Sequence, residues 1–451
     1  MITYQDMQER LSSGVTLVDF VKQVITDHKN KADYRLAKTA KEYNEHRNVT
    51  ISQYQKLLYT ASGQAVPDIW AANYKLKTNQ FNRLVTQLNQ YLLGNGAKWE
   101  SEKTKDALGK TFDTRLQNAG EIALVQKVAY CFWNKDHMDV FEYLEFAEIP
   151  DEEDGSIKAG VRFWQLADNK PLRATLYEMD GYTEFMWKNG LGEIIQEKRP
   201  YILNMRGTDA DGMEIYGGEN YPGFPIVPLW GNKYKQSEFV GMQENIDAYD
   251  LIKSGYADTV DDCSEIFWII NNAGGMDDVD VAEFMEKLKT KHVANVEDNQ
   301  TVQGQTVDIP VEARETLLDR LRADIYEDFM GLDTKNVADG AVTATQIKFG
   351  YEPMNAKTDK YEYCVLDFLD RFLAIAGIED NATFTRSMIV NSTEEINTVL
   401  AAAQYLPQDY VTRKIMTILG DGDQVEQALL DMDGEDMARF GAGNEGNDGE
   451  E

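Results

Sequence analysis

Four histidines, three cysteines and 77 acidic side chains are the groups in this 451-residue sequence with the most chemical potential. His28, His46, His137 and His292 stand far apart, and none opens an HExxH pair that would set two imidazoles on one helix face. Each reads as an ordinary core or surface residue. Cys131, Cys263 and Cys364 form no CxxC spacing, so neither a zinc ribbon nor a disulfide framework is expected. Reduced thiols in a cytoplasm-like compartment are the default. The sequence has no Walker A, GxGxxG or GxSxG motif and no kinase set. "DADG" at Asp209–Gly212 and "DMDGED" at Asp431–Asp436 lack the twelve-residue spacing of a calcium loop and read as turns or solvated ends. Carboxylates are so frequent that no glycosidase-type pair stands out. No catalytic residue, metal ligand or cofactor is therefore assigned.

The formal net charge of -32, with 45 basic residues, argues against tight nucleic-acid binding, whose affinity is mostly electrostatic. It is compatible with a surface that DNA slides past, because an acidic wall repels phosphate. Lys287, Lys289 and Lys291 in "EKLKTKH" form a basic island. They read either as a solvated helix face or as a contact for DNA or an acidic partner, and Lys348 is a further candidate for such a contact. "MITYQDMQERLSSG" is not a signal peptide, and no apolar run is long enough to span a membrane.

The elements that would position such contacts give an α+β chain, mainly helical. Residues 1–127 read mostly as helix, "SQYQKLLYT" and "NYKLKTNQFNRLVTQLNQYLLGNG" included. In the second, Phe81, Leu84, Val85, Leu88, Tyr91 and Leu92 share one face, and Gly94 and Gly96 stop it. Residues 128–240 are β-rich: short aromatic runs alternate with Asp, Gly and Asn turns, ending in the extended "GFPIVPLWGN". A long helix over 241–265 follows, its apolar pattern reading on through "EIFWII". Residues 266–310 are an excursion with a hairpin or extended pair at "VEDNQTVQGQTVDIP". Pro310 is placed to open a helix over 311–330, where Leu317, Leu318, Leu321, Ile325 and Phe329 form a stripe.

Then comes "GLDTKNVADGAVTATQIKFG", a small polar loop between two strong helices. Thr343 and Gln346 fit a capping box for the next helix, which runs to about Ile378, kinked early by Gly350 and Pro353 and burying Leu366, Leu369, Phe372 and Leu373. Short helices follow, one opened by a Ser392–Glu395 capping box, and the acidic tail 441–451 is expected to be disordered.

In this order the chain resembles the tailed-phage portal proteins, the head-to-tail connectors, of the siphovirus-like subfamily. Three stretches carry the resemblance: the early helix ending in a Leu-Gly turn, "GFPIVPLWGNKYKQSEFVGMQENIDAYDLIKSGYADTVDD", and "DIPVEARETLLDRLRADIYEDFMGLD". Relatives often start the helix after the loop with Ser-Gly; here Thr343-Ala344 keeps the hydroxyl cap and loses the glycine.

The resemblance implies a ring of subunits, usually a dodecamer, around a central channel. It implies a wing over 1–240, stem helices over 241–265 and 311–330, a clip over 266–310 and a tunnel loop over 331–343. A kinked wing helix and strand would occupy 344–390 and a crown 391–440. It further implies a virion protein at one capsid vertex, assembled in the host cytoplasm. Its partners would be double-stranded DNA, the terminase large subunit, major capsid and scaffolding proteins, and head-completion adaptors. The loop then reads as a weakly adhesive constriction around DNA. Thr334, Asn336, Val337, Thr343 and Thr345 supply small side chains, Lys335 one basic contact, and Asp333 and Asp339 offset it. Two other classes stay in view: an acidic hydrolase with paired carboxylates in the β-rich part, and a monomeric acidic adaptor for basic partners.

Overall fold

The computed structural model describes residues 2–59, 63–68, 71–208, 214–262, 267–271, 301–305, 311–335, 344–387, 392–419, 425 and 429. Helices α1 (Tyr4–Ser12), α2 (Leu17–Asn30), α3 (Ala32–Asn44) and α4 (Val49–Gln53) open the chain. Strands β1 (Leu57–Tyr59) and β2 (Ala65–Pro67) form an antiparallel hairpin, with Leu57 opposite Pro67 and Tyr59 opposite Ala65. This corrects the helix expected over "SQYQKLLYT": a single turn ends at Gln53, and the apolar run pairs as a strand instead.

Helix α5 (Gln80–Leu93) buries all six residues of its expected face and ends at Gly94; Gly96 has φ +71. Residues 73–79, expected to belong to it, are extended. Strand β3 (Ala97–Trp99) and helices α6 (Glu102–Leu108) and α7 (Phe112–Gln126) lead into the sheets.

β4 (Val128–Asn134) and β5 (His137–Glu142) belong to a three-stranded sheet. A 3-10 turn then breaks "DVFEYLEFAEIP", which reads in sequence as one run. β6 (Phe146–Pro150), β7 (Ile157–Trp164), β8 (Leu172–Glu178), β9 (Gly181–Lys188) and β10 (Leu191–Arg199) make a five-stranded antiparallel meander. Phe20, Val21, Val24 and Ile25 of α2 cover it, packing on Ile149, Val161, Leu176 and Phe185. The next pair is β11 (Ile202–Thr208) with β12 (Glu214–Glu219). The exit strand β13 (Ile226–Trp230) returns to the edge of the three-stranded sheet beside β4. Pro228 is tolerated there because an edge residue need not donate to a further strand. After it, Ser237 Oγ donates to the Val125 carbonyl (2.5 Å) and Glu238 N–H to that of Leu124 (2.9 Å), tying the exit loop to α7.

Helix α8 (Gln243–Asp262) runs antiparallel to α9 (Val311–Phe329). At 1.5 Å per residue the twenty residues of α8 span about 30 Å. The sequence reading carried this helix too far. Phe267–Asn271 is a strand, β14, paired with β15 (Thr301–Gln305), so the two ends of the excursion pair with each other. A short apolar run such as "FWII" fits a strand or a helix equally, and pairing decides it.

Three polar residues of α8, Asp250, Ser254 and Asp258, are buried. They hold the extended segment before α5. Asp258 accepts from Tyr74 N–H (2.7 Å), Ser254 from Leu76 N–H (3.0 Å) and Asp250 from Thr78 N–H (3.0 Å). Every second residue of the strap thus meets every fourth residue of the helix, running antiparallel. Lys56 adds an ion pair to Asp258 at 3.2 Å.

Helix α10 (Ala344–Ala376) passes through Pro353 and buries Tyr361, Val365, Phe368, Leu369, Phe372 and Leu373 in the largest core, with α5 and α7; Leu366 is only half-buried. Gly377 at φ +71, with Ile378 N–H bonding the Leu373 carbonyl, stops it in a Schellman turn. β16 (Ala382–Phe384), α11 (Ser392–Ala402) and α12 (Gln408–Leu419) follow. No helix among the described residues is long and apolar enough to cross a membrane.

Candidate channel loop and its anchors

The loop leaves α9 through a tight turn whose two residues are the reverse of the usual order. Met330 takes the left-handed conformation (φ +62), and Gly331 N–H bonds back to the Tyr326 carbonyl at 2.9 Å. Glycine normally takes the left-handed place, since a side chain there is disfavoured. Here glycine is needed one residue later, because a Cβ on Gly331 would stand 2.5 Å from Leu84 Cδ2 of α5. α9 therefore ends hard against α5.

Leu332 is buried with Tyr91, Tyr351 and Met354, which brings α5, the loop and α10 together. Gln87 Nε2 donates to the Leu332 carbonyl and Leu332 N–H donates to Gln87 Oε1, both at 3.0 Å. Arg322 reaches Asp333 at 2.7 Å, and that carboxylate also accepts from Lys335 N–H. Arg83 donates to Thr334 Oγ1 at 3.0 Å, and Lys335 Nζ bonds the exposed Asp319 at 3.2 Å. On the other leg, Lys357 of α10 donates to the Phe329 carbonyl (2.8 Å), lies over the Phe329 ring and pairs with Glu238 at 2.5 Å. Burial pulls its ammonium below the usual lysine range against the pull of Glu238.

Of the residues singled out in sequence, Asp333, Thr334 and Lys335 are thus brought together at the loop's root. Asp333, 12% exposed, is turned inward to Arg322, and Lys335 is held by Asp319. Thr345 lies in the first turn of α10, and Lys348 is exposed a turn further on. Asn336, Val337, Asp339 and Thr343 lie outside the described residues, as do Lys287, Lys289 and Lys291, both calcium-like stretches, Pro310 and the acidic tail. Sequence reasoning missed Gln87 and Arg83. Their only signal was a polar stripe, one turn apart, on an otherwise apolar helix.

The hydrolase reading required two converging acids of raised pKa. Burial and the neighbouring Glu142 raise Glu145 in the β-rich part, but Glu142 is itself held by Lys41 at 2.7 Å and by Gln126 at 2.8 Å. A cleft of about 470 Å³ at the junction of the exit loop, α9 and α10 contains the Lys357–Glu238 pair rather than paired acids. Among the described residues no three His, Cys, Asp or Glu side chains gather in a metal-binding group.

The family model for phage portal proteins of the SPP1 Gp6-like type matches residues 23–436, and the chain belongs to that family. The family is structural rather than catalytic, and its general role is the DNA channel of the phage head. The chain is 24% identical over 359 residues to the portal protein of Clostridium phage phiCD119, covering 73% of this chain and 76% of that one. Over 389 residues it is 22% identical to the portal protein of Bacillus phage SPP1, covering 78% and 74%. Among solved structures it is similar to the neck of an empty gene transfer agent particle computed with C6 symmetry, at 10% identity and TM-score 0.46, over 76% of this chain and 90% of that one.

Proposed function

We propose that copies of this chain close into a ring, a dodecamer, and that residues 331–343 of each copy line its DNA channel. The observation that carries this is the root of the loop. Gly331 and Leu332 are fixed to α5 and Phe329 to α10, so a small polar loop is presented from rigid supports. A channel through which DNA slides needs such side chains, since each free basic contact would add salt-dependent affinity. With Asp333 bound to Arg322 and Lys335 to Asp319, the root offers DNA little net charge.

In this reading residues 1–240 form the wing, α8 and α9 the stem, 266–310 the clip, 344–390 a further wing helix and strand, and 391–440 the crown. The ring sits at one vertex of the capsid. The terminase large subunit docks there during packaging, capsid and scaffolding proteins surround it, and head-completion adaptors bind it later.

Electron microscopy of the purified chain tests the ring: particles with a central hole and twelvefold symmetry are expected. Shortening the loop within 336–343 should leave rings intact and impair genome packaging or retention. Normal packaging by that variant would remove the loop from the channel.

A further inference from the structure

The hairpin of β1 and β2 has no visible partner for its apolar side chains. Leu57, Tyr59 and Val66 are exposed, Tyr59 at 74%. A lone two-stranded hairpin is marginally stable in water and calls for a surface to rest on. It belongs to an arm, residues 54–78, that carries three lysines and one aspartate in a chain of net charge -32.

The arm is locked to α8 on one side only. Asp247, Asp250, Ser254 and Asp258 face the arm and its neighbours. Asn245, Tyr256 and Thr259 face α9, through Asp328 and Arg314. At 3.6 residues per turn these two sets lie about half a turn apart. Arm, α8 and α9 therefore stand in a row, with the arm at one end and α9 at the other.

The outer end of this row has its own exposed apolar residues, Val311 (39%) and Leu317 (45%) of α9. They lie at the same level along the helix pair as the hairpin. Lys56, next to Leu57, pairs with Asp258, while Arg314 of α9 bonds Thr259 one residue on. Rotation about a ring axis preserves height. With the helix pair running along the channel, two different patches of one chain meet between neighbours only if they share a level, which these do. The charges also match, because α9 carries six acids against three arginines.

We propose that the arm is a subunit-joining element: Leu57 and Tyr59 of one copy pack on Val311 and Leu317 of the next. The contact is head-to-tail, as a closed ring with more than two members requires. This inference rests on the ring reading above.

The test places p-benzoylphenylalanine at position 59 (Tyr59→p-benzoylphenylalanine) and forms rings from a mixture of light and isotope-labelled chains. Irradiation should give mixed-isotope cross-links that map to residues 311–319. Cross-links confined to the same chain, or mapping elsewhere on a second copy, overturn the proposal. In parallel, Leu57→Ser with Tyr59→Ser should raise the protein concentration needed for half assembly at least tenfold, with the thermal unfolding of the monomer unchanged. Unchanged assembly overturns the arm's role while leaving the ring reading intact. If the unaltered chain forms no ring at all, both readings fall.

Discussion

Gln87 and Leu332 exchange two hydrogen bonds of 3.0 Å each, a side-chain amide matching both polar groups of one backbone residue. Only Gln or Asn offers a donor and an acceptor in one plane. The position of the loop is thus set by a helix 245 residues away in sequence. Gln87→Leu should leave the N–H and carbonyl of Leu332 unpaired. An orphaned partly buried amide group costs about 1–3 kcal/mol. The expected outcome is a lowered melting temperature together with faster amide exchange at residues 331–335. Unchanged exchange there would show that Gln87 does not hold the loop.

Gly331→Ala should destabilise the chain by about 1–3 kcal/mol, the usual range for inserting a methyl into filled space, because its Cβ meets Leu84. Adding Leu84→Ala should relieve part of this. A double-mutant cycle by chemical denaturation reads the coupling; strict additivity would mean that the glycine serves some other purpose.

His28 carries a pH dependence. Desolvation by burial lowers its pKa from 6.5 to about 4, against the raising effect of its bond to the Tyr143 carbonyl. Nδ1 has no partner among the described residues, so Nε2 is the proton donor and a second proton would be left without an acceptor. The unfolded chain takes up a proton below pH 6.5 and the folded chain does not until about pH 4. Stability is therefore full above pH 6.5 and falls as pH drops through that window. At about 1.4 kcal/mol per unit this one group contributes a loss of about 3 kcal/mol. Melting curves of His28→Gln and the unaltered chain across pH 4–7 should diverge in slope, the variant being flatter.

Removing one rung of the strap should release it. Asp250→Ala deprives the Thr78 N–H, the Thr78 hydroxyl and the Asn48 amide of their acceptor. Ser254→Ala removes one bond only, at a cost of about 1 kcal/mol. Limited proteolysis should therefore cut residues 54–78 fastest in the Asp250 variant, with the Ser254 variant intermediate. Equal cutting in all three proteins would mean that the arm is held by something else.

Much of the fold was legible because apolar spacing reports packing directly. The stripe of α5 and the aromatic runs of the sheets were readable for that reason. The buried face of α8 was not. Asp250, Ser254 and Asp258 look like a solvated stripe, since a polar period is the same whether water or backbone amides satisfy it. Leu57–Tyr59 and Phe267–Asn271 were misread because three to five apolar residues carry too little periodicity to choose between helix and strand. Of the loop, Gly331 to Lys335 could be located in sequence, but not Arg83 and Gln87, whose relevance arises only when distant segments meet.

The strap on α8 behaves as a vernier scale. Two extended residues advance about 6.6 Å and four helical residues about 6.0 Å, so the rungs drift by about 0.6 Å per step. Three rungs fit within the reach of short side chains. A fourth would carry a drift of about 1.8 Å, comparable to the difference between a hydrogen bond and none. The graduation therefore sets its own length. It also makes the joint digital: moving the arm along the helix by less than a whole turn misaligns every rung at once, and the only other position of rest lies about 5.4 Å away.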